Sequence, residues 1–152
     1  MKLNKYEKFF GDSAEKEKNI EDWDDFDFVL SKVKQNGLAL KYASNFQDNE
    51  EIVKLAVQEN GYALQFASNF QDNEEIVKEA VKQYGYALAY ASKNLQKEFI
   101  KKQPELIKYV NQTPELVKTA IDNGLKDKIL IKISKEELFE YINSLNKKSI
   151  KP

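Results

Sequence analysis

The chain has no cysteine, no histidine and no arginine. Without cysteine there are no disulfides, thiolate metal sites or thiol nucleophiles, and without histidine the commonest general base and metal ligand are gone. All 24 basic residues are lysine, so the planar fork that reads phosphate and guanine bidentately is missing, which argues against nucleic-acid recognition. No segment approaches the roughly 18 consecutive apolar residues of a membrane span. The opening "MKLNKYEKFFGDSAEKEKN" lacks the apolar run of a signal peptide, so the expected location is cytoplasmic, with no membrane partner. Only three prolines and five glycines punctuate 152 residues, and 41% of the residues are apolar, enough for one folded domain with a real core.

What is present is repetition. "ASNFQDNEEIVK" occurs at 43–54 and again at 67–78, identical at all twelve positions. Gly37, Gly61 and Gly85 recur at intervals of 24 residues, and a fixed period of this size is the signature of a solenoid. Ile52, Val53, Ala56 and Val57 fall on one face of a helix, called helix A, with Asp48 and Glu51 read as its cap. The Asn-Gly or Tyr-Gly pair that follows is read as a stop, the glycine closing the helix in the left-handed conformation. A shorter helix B, "YALQFASNF", completes a helical hairpin. Upstream, "DFDFVLSKVKQNG" fits helix A with Asp25 at the cap and Phe28, Val29 and Val33 in the apolar slots.

Downstream the units shorten. "LQKEFIKKQ" and "PELIKYV" resemble helices A and B. Thr113 and Pro114 open another helix A with Leu116, Val117, Ala120 and Ile121 inward, and "KDKILIKI" is read as helix B in preference to a strand. Ser134 and Glu137 form a capping box ahead of Leu138, Phe139, Ile142 and Leu145. The expectation is an all-α fold, a short α-solenoid of stacked helical hairpins with atypical capping helices. Its parts are an N-terminal cap and acidic turn over 1–23, with "LNKYEKFF" as the cap, repeats over 24–133, and a C-terminal capping helix and tail over 134–152.

"DNEEIVKLAVQENGYALQFAS" at 48–68 and "DNEEIVKEAVKQYGYALAYAS" at 72–92 resemble an uncharacterised helical-repeat family, catalogued as a domain of unknown function in bacteria, giant viruses and protists. The "TPEL" at 113–116 fits the same pattern, and the resemblance spans roughly 24–124. It implies a glycine-punctuated helix-pair fold and no reaction.

Residues 1–28 sum to −4, residues 29–100 to −1 and residues 101–152 to +4. The acidic run "EDWDDFDF" is not a calcium loop: counting from Asp22, the sixth and twelfth positions hold Asp27 and Val33 where glycine and glutamate are needed. Trp23, Asp24 and Asp25 read either as a cap with a solvated turn or as an anchor for a basic partner. The pairs Glu50/Glu51 and Glu74/Glu75 sit in first turns, where carboxylates favour the helix dipole, so no catalytic residue, metal or cofactor is expected. The sequon Asn111–Thr113 reads as a helix cap, not a glycosylation site.

Projecting helix B at 100° per residue leaves an outer ladder of Leu38, Lys41, Ser44 and Asn45, then Tyr62, Gln65, Ser68 and Asn69, then Tyr86, Ala89, Ser92 and Lys93. Repeated surface of this kind suits a protein partner, the tyrosines giving contact area at low entropic cost. The competing reading packs Tyr62 and Tyr86 against the neighbouring unit. The expected function is a non-enzymatic binding module, in one version a small blocking protein such as a toxin-immunity factor or a phage-encoded, anti-CRISPR-like inhibitor of host defence. A weak nucleic-acid-binding repeat is the alternative. Ser44, Asn45, Gln47, Asn49, Glu50 and Lys54 are identical without an evident demand of the fold, which duplication or repeated partner contact would explain.

Overall fold

The computed structural model describes residues 22–149. The expected cap "LNKYEKFF" lies outside them. Among the described residues the fold is all-α and has no strand. Six α-helices, α1 (Phe26–Gln35), α2 (Glu50–Glu59), α3 (Glu74–Gln83), α4 (Lys93–Lys102), α5 (Pro114–Asp122) and α6 (Lys135–Ser149), alternate with short 3-10 segments. Successive units pack side by side, 3-10 segment on 3-10 segment throughout and helix on helix except between α3 and α4.

Helix B is therefore not an α-helix. Gly37–Tyr42, Gly61–Phe66, Gly85–Tyr90 and Pro104–Tyr109 are six-residue 3-10 helices. At three residues per turn, side chains three apart eclipse each other. Gly61, Leu64 and Ala67 thus form one buried row, as do Leu40 and Ala43 with Gly37. The region Leu125–Ile133 is neither an α-helix nor a strand: only Lys128–Leu130 makes a 3-10 turn. Gln112 holds it there, donating to the Leu130 carbonyl at 2.6 Å and accepting from the Lys132 N–H at 2.7 Å.

The helix starts are shifted by one residue from the expected cap. Asn49 and Asn73, not Asp48 and Asp72, accept from the N–H groups of Ile52 and Ile76, each at 3.1 Å. Asp25, Thr113 and the Ser134/Glu137 box cap their helices as the residue pattern implies. The helix stops also differ from expectation. Gly37, Gly61 and Gly85 do not take positive φ; among the described residues only Gly124 does, at 96°. These glycines serve close approach instead. A Cβ on Gly61 would stand 2.6 Å from the Ala80 carbonyl oxygen of the next unit's helix, and one on Gly37 would meet the Ala56 carbonyl oxygen closer still.

The core runs through the stack. Ile52, Val53, Ala56 and Val57 are buried as the periodicity implies, together with Val29, Val33, Leu64, Val77, Leu88, Ile100, Ile107 and Val117. Burying each such Leu or Ile contributes about 1.5–3 kcal/mol before entropic losses. The helix spacing falls after α3 because the insert Ser44–Asp48, repeated at Ser68–Asp72, is missing there: Ser92 follows Ala91 and caps α4 directly.

Candidate binding surface

The outer row of the 3-10 layer is set by its three-residue period. It brings Leu38, Lys41 and Ser44 into one line, Tyr62, Gln65 and Ser68 into the next, and Tyr86 and Ala89 into the third. Lys41, Ser44, Ser68 and Ala89 are exposed, whereas Leu38, Tyr62 and Gln65 are half-buried. Lys41 lies over the Tyr42 ring, its ammonium 4.4 Å from the centroid. Gln65 turns back to donate to the Tyr62 carbonyl at 3.0 Å. Lys93 is exposed as the first residue of α4.

The tyrosines of this face are paired across units. Tyr62 stacks on Tyr84 with centroids 4.9 Å apart and planes 21° from parallel. Tyr86 meets Tyr109 edge-on at 4.6 Å, and the Lys108 ammonium lies over the Tyr109 ring at 4.7 Å. Both ladder tyrosines thus pack on a neighbouring unit, Tyr62 half-buried and Tyr86 still 58% exposed, and Tyr84 is 44% exposed. Tyr84 and Tyr109 were absent from the sequence ladder. The signal for Tyr84 was a break in the repeat. Asn36 and Asn60 occupy the same register, each accepting from the N–H two residues on at 3.0 Å, and Tyr84 gives up that bond.

Asn45 and Asn69 are not free rungs. Asn45 donates to Asp24 at 2.6 Å and Asn69 donates to Asp48 at 2.7 Å, while Ser92 donates to Asp72. One stitch thus recurs along the stack, joining each unit to the one before. The other identical residues have work inside the fold as well. Gln47 and Gln71 donate to the Leu40 and Leu64 carbonyls at the ends of the 3-10 segments, and Asn49 and Asn73 cap helices. Lys54 pairs with Glu50 at 2.8 Å and reaches Glu75 of the next helix at 4.0 Å. Of the six residues left unexplained by core and cap, only Ser44 has no side-chain partner among these contacts.

At the acidic end, Trp23 is half-buried on the core, with its ring 5.3 Å from Phe28 and 5.2 Å from Tyr42. Asp24 receives Asn45 and Asp25 caps α1, so both carry structural bonds while remaining exposed. Among the described residues three charges are perturbed. Hydrogen bonding to Glu50 raises Lys54 above the usual lysine value, hydrogen bonding to Glu115 does the same for Lys97, and the bond from Lys101 lowers Glu98. All three are surface ion pairs. No group of three or more metal-ligating side chains gathers among the described residues, and no helix there is long and apolar enough to cross a membrane.

Residues 25–69 and 49–96 match the model of a family described as Domain of unknown function (DUF4116), in two overlapping copies. No curated protein and no solved structure matches the chain.

Proposed function

We propose that this chain, whose residues 25–96 match the uncharacterised DUF4116 family, is a non-enzymatic protein-binding module whose partner lies along the 3-10 face. Tyr84 carries the reading. Its residue type gives up a side-chain cap that the two earlier units keep, typically about 1 kcal/mol, and in its place sets a ring on Tyr62 that stays 44% exposed. Local rules of stability are broken most often where a site is under selection for something else. Tyr62 and Tyr109 hold the two exposed rings from beneath, so little side-chain entropy is lost when a partner covers them.

Leu38, Lys41, Gln65 and Ser68 flank this cluster, and Lys93 lies on the next unit. A small blocking protein acting in the cytoplasm is the natural version. Nucleic acid is the weaker occupant, because the face offers isolated lysines and no arginine. The test is co-purification from the native host, comparing the wild-type chain with Tyr84→Ala/Tyr86→Ala by mass spectrometry. A protein recovered only with the wild type is the expected result. Recovery of nucleic acid with a steep salt dependence would overturn the reading.

A further inference from the structure

Among the described residues nothing seals the C-terminal end of the stack. A terminal repeat of a solenoid ordinarily turns a polar face outwards. Here α6 has no buried residue, and Ile129 is 89%, Phe139 65% and Ile121 43% exposed. Between α5 and α6 lies an apolar groove of about 320 Å³, lined by Ile121, Leu125, Ile131, Ile133 and Leu138, with Lys128 and Lys135 at its edge. Residues 126–135 sum to +3, and none of their lysines is in an ion pair among the described residues.

The opposite end has the complementary character. Residues 22–28 hold four aspartates and no lysine. Asp22, Asp24, Asp25 and Asp27 are all exposed, and they surround the half-buried aromatic rings of Trp23, Phe26 and Phe28. We propose that the apolar groove and its lysine edge receive the acidic aromatic turn of a second copy of this chain, so that copies associate head to tail. The charges select this arrangement. Two heads or two tails brought together would set like charges against each other, which disfavours a twofold dimer, whereas head on tail pairs opposite charges around an apolar centre. The contact is heterologous and does not close on two copies, so assembly grows with concentration. It uses the ends of the stack, and leaves the tyrosine face between them open.

The test uses the full chain in sedimentation velocity and light scattering over a range of concentrations. At low salt the wild type should pass from monomer to dimer and higher species. At 1 M salt, where the Debye length is about 3 Å, the association should weaken by about tenfold or more. The variant Lys128→Glu/Ile129→Asp blocks the tail and Asp22→Lys/Asp27→Lys blocks the head; each alone should stay monomeric. Mixed together, the two should form a one-to-one dimer, because each retains one sound end. A wild type that stays monomeric at low salt, a mixture that stays monomeric while both melts remain native, or a dimer that survives in either blocked variant would each overturn the proposal. Loss of partner capture by Tyr84→Ala/Tyr86→Ala reports on the other face and leaves this result unchanged.

Discussion

Gly61 approaches α3 so closely that a Cβ on it would stand 2.6 Å from the Ala80 carbonyl oxygen and 3.1 Å from the Ala80 Cα. The obstacle is backbone, which cannot swing aside. Gly61→Ala should therefore cost on the order of 2–4 kcal/mol, a fall in Tm of roughly 4–16 °C for a domain of this size. Gly61→Asn separates this cause from a demand for positive φ. Asparagine tolerates left-handed backbone and would be milder than alanine there, whereas under a steric cause it is at least as harmful. Gly85→Ala should cost less, because its Cβ meets the side chain of Tyr109, whose ring can turn. Gly124→Ala should cost only about 1 kcal/mol, since its φ is 96° and nothing lies within 4 Å. Thermal melts of the four variants give the order.

Asn69 and Asp48 join successive units through a hydrogen bond of 2.7 Å between exposed side chains. A double-mutant cycle on Asp48→Ala and Asn69→Ala should give a coupling of about 0.5–1 kcal/mol. The cap Asn73→Ala should cost about 1 kcal/mol by itself and add independently to Asn69→Ala. Additive behaviour of the Asp48 and Asn69 variants would remove the stitch from the stacking forces.

These contacts show where the residue pattern is sufficient and where it is not. The apolar slots Ile52, Val53, Ala56 and Val57 are legible because burial follows helical period, and Thr113 and Ser134 because a cap is a local bond. The role of Gly61 is not, since the same dipeptide serves a left-handed stop or a close approach, and only the position of Ala80 on the next unit decides between them. The short second helix was projected at an α-helical period, and six residues are too few for periodicity to expose a 3-10 path. Asn45 and Asn69 looked like free surface because their acceptors lie 21 residues away. Tyr84 is hidden for a different reason, because it departs from the register that Asn36 and Asn60 share, and a pattern built on repetition does not include it.

Lys97 and Glu115 link α4 to α5. The hydrogen bond to Glu115, then its charge, raise the Lys97 pKa above the usual lysine value, with a smaller contribution from Tyr141. The raised value means that the pair's contribution is fully present below the unfolded lysine pKa of about 10.4 and is lost as pH rises through the folded one. With both side chains partly exposed, at 38% and 51%, solvent screening keeps the effect under about 1 kcal/mol. Melts of the wild type and Lys97→Met should differ at neutral pH and converge once the pH has risen past the raised Lys97 value. A gap that persists there would assign the loss to packing of the lysine stem.

Tyr84→Asn sets stability against binding. The change restores the side-chain acceptor that Asn36 and Asn60 supply at the same register, worth about 1 kcal/mol, and removes the stacking on Tyr62, worth about 0.5–1.5 kcal/mol. The two nearly cancel, so the melting temperature should move by only a few degrees. Partner affinity, once the partner is in hand, should fall by about tenfold or more, as expected for an anchor ring near the centre of an interface. Tyr86→Ala should behave alike, because its exposed ring contributes little to the core, whereas Tyr62→Ala should lower both stability and affinity since its ring is half-buried. Unchanged affinity in Tyr84→Asn and Tyr86→Ala, measured by calorimetric titration, would show that the exposed tyrosines are not the binding surface. Stacking on Tyr62 would then be sufficient reason for tyrosine at this register.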